Sequence, residues 1–298
     1  MVFGTTIKKM PTQNESTAAA VIPAQKRLSP QELNQFDKNL LSVLSCVKAL
    51  NFRHIAYIGR ELDNIEQSQA YNILWHKAAP QSENSFKRLK KLCEFGWVLP
   101  WKSWNPDRIL LDPARKAQPG RGGVFYILGR EGRRWVRNTL GLKPMPFRHE
   151  ELYLSLVPLS RWLTASSCAL TLDYEGARLL SPGEAWSDNN VNLAPTIRPD
   201  FVVNHIQTTA FYICDSPFAL DSDFLVAQVL QGLNFLGADS KSIILTRTKD
   251  AFDNIFISMK KIAMDGNIGR VYAGDIEAFK NANGHCSIVN AREILDKL

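Results

Sequence analysis

The chain has 298 residues, 45% hydrophobic and 22% charged, which is the balance of an ordinary globular protein long enough for two domains. No apolar run is long enough to span a bilayer. Polar residues (Pro11-Thr12-Gln13-Asn14) follow Lys8 and Lys9 where a signal peptide would carry its apolar core, so a cytoplasmic protein is expected. The five cysteines, Cys46, Cys93, Cys168, Cys214 and Cys286, are odd in number and form no CxxC pair, which argues against a disulfide frame and a zinc site.

The net charge of +7 is unevenly spread. Residues 1–147 hold 23 Lys+Arg against 11 Asp+Glu, a balance of +12; residues 148–298 hold 13 against 18, a balance of −5. A basic half joined to a mildly acidic one implies division of labour, with nucleic acid the first partner to consider for the basic half. A solvated basic surface would give the same count.

Residues 1–28 are rich in Thr, Ala, Pro and Gln without a periodic apolar face and read as a flexible tail. Ser29-Pro30 predicts a helix start, serine as cap and proline in the first turn. Leu33, Phe36, Leu40, Leu41, Leu44 and Val47 follow at helical spacing. A short helix over 52–62 comes next. Then Ser82 opens SENSFKRLKKLCEFGWV, with Phe86, Leu89, Leu92 and Cys93 on one face and Lys87, Arg88, Lys90 and Lys91 pointing elsewhere; Gly96 ends it. Strands are expected over 97–101, 108–111 and 124–128. The loop DPARKAQPGRGG between the last two carries Arg115, Lys116 and Arg121. A helix over 130–140 adds Arg130, Arg133, Arg134 and Arg137.

Helices followed by a hairpin with a basic tip is the order of a winged helix-turn-helix, expected over 29–147. Its basic helix would enter the major groove of double-stranded DNA and its loop would touch phosphates or a neighbouring groove. Such modules also dock proteins; the charge favours DNA, with affinity from phosphate contacts.

Lys143-Pro144-Met145-Pro146 reads as a linker, and 148–298 as the second domain. A helix is expected over 150–164, strands over 168–172, 200–204 and 209–214, a helix over 222–236, a strand over 242–246, a helix over 251–264 and a strand over 270–273. The class is mixed α/β, a sheet between helices.

With Pro199-Asp200 on its second strand, that order resembles the PD-(D/E)xK nuclease fold. Joined to the first half, it resembles the replication-relaxation family, including MobC-type relaxases of mobilisable plasmids. The positions that carry the resemblance are Tyr126-Ile127-Leu128 before a helix containing Gly132, His149-Glu150, Glu175, and Arg198-Pro199-Asp200. The resemblance implies strand nicking at a plasmid transfer origin, with other mobilisation or coupling proteins as partners. It also implies carboxylates holding Mg²⁺ or Mn²⁺, the hard cations suited to oxygen ligands. Asp200 stands at the ligand position; Glu150 or Glu151 and Glu175 could add carboxylates.

The third strand departs from the pattern. Ile213 occupies the expected glutamate position and Asp215 the second one, with no lysine on the strand; alternatively Asp215 is itself a ligand, shifted by two. A tight turn at Gln207-Thr208 would set Asp200 opposite Asp215, and a four-residue loop at 205–208 would set it opposite Ile213. Tyr174 and Tyr212 are the candidate nucleophiles, and packed core tyrosines are the competing account. No HxH pair, GxxxxGK[ST] loop or GxSxG elbow is present. Beside the nicking enzyme stand a catalytically degenerate DNA-binding accessory or regulator, favoured by Ile213 and the missing lysine, and a defence nuclease.

Overall fold

The computed structural model describes residues 28–75, 83–102, 124–144, 156–174, 176–185, 197–214, 221–262 and 270–276. The first helix begins later than Ser29-Pro30 predicts. Ser29 instead caps a single 3-10 turn, Pro30–Glu32, with its N–H on Glu32 Oε2 at 2.7 Å. The chain then turns at Asn34, whose side chain accepts from Asp37 N–H, and α1 (Gln35–Cys46) starts there. Strand β1 (Leu50–Asn51) leads into α2 (Phe52–Ile58), which stops at Gly59, four residues short of the expectation. Helix α3 (Gln67–Trp75) was not expected. Helix α4 (Glu83–Glu94), strands β2 (Val98–Lys102) and β3 (Val124–Leu128) and helix α5 (Arg130–Thr139) complete the first half. The three strands form an antiparallel sheet in the order β1-β3-β2. Leu40, Leu41 and Leu44 of α1, Ile55 of α2 and Leu89 and Leu92 of α4 are buried together beneath it.

Helix α6 (Leu156–Tyr174) opens the second half and corrects one expectation: the strand predicted over 168–172 lies inside this helix. A short apolar run cannot by itself separate a buried strand from a helix buried on all sides. Residues from Trp162 to Leu172 are inaccessible or nearly so, apart from partly buried Leu163. The first strand of the sheet is β4 (Arg178–Leu180), followed by the short α7 (Pro182–Ala185). Then come β5 (Phe201–Asn204), β6 (Thr208–Cys214), α8 (Ser222–Leu236), β7 (Lys241–Thr246), α9 (Lys249–Ile262) and β8 (Val271–Asp275). The sheet order is β4-β5-β6-β7-β8; β4, β5 and β6 pair antiparallel, and β6, β7 and β8 pair parallel.

Both faces of this sheet are covered, which explains its near-continuous apolar runs. On one face Phe201, Val203, Phe211, Ile213, Ile243 and Leu245 pack with Ala165, Cys168, Ala169 and Leu172 of α6. Phe201 and Phe211 stack with ring centres 4.6 Å apart. On the other face Val202, Ala210, Tyr212 and Ile244 pack with Val226, Val229 and Leu233 of α8 and Ile255 of α9.

Helix α6 also faces the first half, where Trp162 packs with Ala49, Phe125 and Ile127 and polar contacts join them. Ser166 Oγ donates to the Ala49 carbonyl at 2.6 Å, and Trp75 Nε1 donates to Thr171 Oγ1 at 3.2 Å. His54 Nδ1 accepts from the Asn51 N–H at 3.1 Å, so Nε2 carries the proton and donates to Ser167 Oγ at 2.9 Å. Burial, with a smaller push from Arg53, lowers the His54 pKa to about 3. A group depressed this far stays neutral in the fold while the unfolded chain takes up a proton below pH 6.5. Stability therefore falls as pH drops from 6.5 towards 3, by on the order of 2 kcal/mol at pH 5. Denaturant midpoints measured from pH 8 to pH 5 should fall more steeply for the wild type than for His54→Gln. Parallel curves would show that His54 is not buried against α6.

Candidate functional site

Helix α4 was the expected DNA reader, and its environment sorts its four cations. Its N-terminus is held by Asp63, whose carboxylate accepts from the N–H groups of Asn84 at 2.9 Å and Ser85 at 3.3 Å. Ser82 lies outside the described residues. At the other end Gly96, at φ +70°, lets Trp97 N–H reach Leu92 O (3.0 Å) and Gly96 N–H reach Cys93 O (3.1 Å), the paired bonds of a Schellman ending. Ser85, Leu89 and Leu92 face inward.

Arg88 also turns inward. Its Nε donates to both oxygens of Asp37 at 2.8 Å and its Nη2 to Asp37 Oδ2 and to the Glu32 carbonyl. The Asp37 side chain is fully buried and also takes the Asn34 N–H at 3.0 Å. This hydrogen bonding raises the guanidinium pKa further. Arg88 is thus bound to the fold, not presented to a phosphate. Lys87 and Lys90 are exposed and Lys91 half-buried. Lys87 pairs with Glu83 at 2.5 Å on the open surface, where such a pair adds little. Arg115, Lys116 and Arg121 lie outside the described residues.

The second expected site centres on Asp200. The β5–β6 hairpin adopts neither anticipated register. Asn204 pairs with Thr208 across the three residues His205, Ile206 and Gln207, and Phe201 pairs with Phe211. Continuing that register sets Asp200 opposite Tyr212, not Ile213 or Asp215. Asp200 stands just before β5, where its N–H donates to Phe211 O at 2.8 Å. Its carboxylate accepts the Ile213 N–H at 2.8 Å, satisfying a β6 donor at the point where the neighbouring strand has ended.

The same carboxylate is gripped by Arg161 from the first turns of α6. Arg161 Nε reaches both oxygens, at 2.8 and 2.9 Å, and Nη2 reaches Oδ2 at 2.8 Å. The Asp200 side chain is 5% exposed and that of Arg161 is 24% exposed. A two-pronged guanidinium and a backbone N–H take up the lone pairs that would face a cation. The first helix therefore brings a positive charge to Asp200. The carboxylates expected nearby, Glu150, Glu151, Glu175 and Asp215, lie outside the described residues. Among the described residues no three carboxylate, histidine or cysteine side chains gather as a metal cluster would. Tyr212 is fully buried, and burial followed by the Asp200 charge pushes its phenol pKa up, the opposite of what a nucleophile needs.

Arg161 was missed from sequence although it left a signal. It is the one charged residue in LVPLSRWLTASSCALTL, and a charge in an apolar helix needs a partner. No protein-family model, curated protein or solved structure matches this chain.

Neutralising a carboxylate that sits among other carboxylates would relieve repulsion. Neutralising Asp200 instead removes the charge of a buried pair, so Asp200→Asn should cost about 3 kcal/mol. Denaturant unfolding with and without Mg²⁺ checks this; a stabilised variant, or a wild type markedly stabilised by Mg²⁺, would identify Asp200 as a metal ligand. In α4, Arg88→Ala should likewise cost about 3 kcal/mol by leaving Asp37 buried and unpaired. Lys90→Ala should stay within about 0.5 kcal/mol of wild type on the same measurement.

Proposed function

We propose that the chain is a DNA-binding accessory or regulatory protein whose second half keeps a nuclease-like architecture without strand-cleaving chemistry. Two arrangements support the fold part of this reading. In the first half, α1-β1-α2-α3-α4-β2-β3 with sheet order β1-β3-β2 has the layout of a winged helix, with α4 in the place of the recognition helix. In the second, α6 precedes three antiparallel strands, a crossover helix and a parallel strand, the order of the PD-(D/E)xK fold. The charge balance of +12 in residues 1–147 supports DNA as the partner. The resemblance to plasmid mobilisation proteins makes a transfer origin the DNA to try first.

The observation that carries the non-cleaving part is the Arg161–Asp200 pair. For Asp200 to ligate Mg²⁺ or Mn²⁺, Arg161 would have to release it, leaving its positive charge beside the cation, and like charges there oppose metal binding.

Supercoiled plasmid carrying the cognate origin should be bound by the purified protein and remain supercoiled in the presence of Mg²⁺ or Mn²⁺. Band-shift and agarose relaxation assays on the same samples read both outcomes. Metal-dependent nicking that disappears in Asp200→Ala with binding intact would replace this reading by the relaxase one.

A further inference from the structure

Helix α5 is pressed against the end of α4. A methyl group added at Gly132 would lie 2.4 Å from the Trp97 carbonyl oxygen, and one at Gly129 would lie 2.2 Å from that of Gly96. Only glycine permits this approach. Gly132, Trp135 and Val136 are the buried side of the helix. Its other side forms one wall of a cleft of about 600 Å³, with β2 and β3 contributing Leu99 and Ile127.

Arg130, Arg133, Arg134 and Arg137 all line that cleft, spaced so that they share one helical face. Glu131 is the one carboxylate in the lining. Arg133 is half-buried and donates from Nε to Leu128 O at 3.2 Å; burial, then Arg137, lowers its pKa. Arg130, Arg134 and Arg137 are exposed, and none makes an ion pair among the described residues. Four guanidinium groups on one face repel each other. The helix does not need them to fold, because its buried side holds it in place. A polyanion would remove the repulsion.

The shape narrows the choice of polyanion. A duplex offers phosphates on a convex ridge and hides the faces of its bases, so it gains nothing from a concave wall with an exposed leucine. An unpaired strand offers both parts: phosphates for the guanidinium groups, and base faces for the exposed Leu99 and the guanidinium planes. We propose that the α5 cleft binds a single-stranded segment of nucleic acid, beside the duplex that the α4 surface would hold. This rests on the DNA-binding function proposed above.

The test is fluorescence anisotropy of the full chain with labelled oligo(dT) and, separately, with a labelled duplex. Arg134→Ala/Arg137→Ala should weaken oligo(dT) binding about tenfold or more. It should also reduce the magnitude of its salt slope by about 1.4, at about 0.7 for each lost single-strand phosphate contact. Duplex affinity should stay within about twofold, which also shows that the variant is folded. Lys87→Ala/Lys90→Ala should show the converse. Unchanged oligo(dT) binding by the arginine variant, or equal losses for both probes, overturns the single-strand assignment. So does a wild type that binds duplex but not oligo(dT), and in that case DNA binding itself stands. A wild type that binds neither probe removes the DNA-binding function and the cleft's role together.

Discussion

Helix α6 is buried from two directions, and the two sides ask different things of it. Towards the five-stranded sheet it offers Ala165, Cys168, Ala169 and Leu172, small or flat enough to meet Phe201 and Phe211 closely. Towards the first half it offers Ser166, Ser167 and Thr171. These hydroxyls are satisfied by partners on other elements and by carbonyls one turn back in α6 itself. Hydroxyls buried without partners would cost more than the packing returns. His54, Trp75 and the Ala49 carbonyl are therefore part of what lets α6 lie where it does. Arg161 rides on the same helix, so the seating of α6 also sets the charge at the end of β5.

Among the described residues, a buried aspartate held by an arginine from another element occurs once in each half. Asp37 caps the start of α1 and is clamped by Arg88 from α4. Asp200 closes the end of the β5–β6 ladder and is clamped by Arg161 from α6. In both, the carboxylate first satisfies a backbone N–H that the secondary structure leaves over, and the arginine then supplies the charge that makes burial tolerable. Such pairs add little net stability against an apolar alternative but penalise any arrangement that separates the partners. They fix α4 on α1 and the hairpin on α6. Asp200 lies where a sequence pattern assigns a metal ligand, and Arg88 lies among the cations that its helix was expected to present to DNA.

What the sequence discloses follows from how one-sided each element's environment is. β3 and α8 lie where residue patterning puts them, Val124–Leu128 and Ser222–Leu236. Their ends are marked by Gly129 and by the Asp221 cap and Gly237. The run 168–172 misled because residues 164–172 of α6 are buried all round, which removes the periodicity that separates helix from strand. The hairpin register was not legible because His205, Ile206 and Gln207 form an uncommon loop sequence with no glycine to announce it. At the candidate site, the position of Asp200 at the head of the second strand of the sheet was legible and its partner was not. Contact between residues 39 positions apart along the chain depends on tertiary packing alone.

The same logic bears on where the basic charge of the first half is used. A count of Lys and Arg weights every cation equally, but the fold does not. Arg88 is consumed by Asp37, and Lys87 is shared with Glu83. The helix with the basic sequence thus presents less positive charge than its composition promises. Helix α5, which carries its arginines on one outward face, presents more. Close approach at Gly132 seats the buried side of α5 against Trp97, and the arginines on its other side wall a cleft. A stripe attracts any polyanion, whereas a walled cleft also selects by shape. The close contact at Gly132, between Glu131 and Arg133, is what places the arginine side of α5 at that wall.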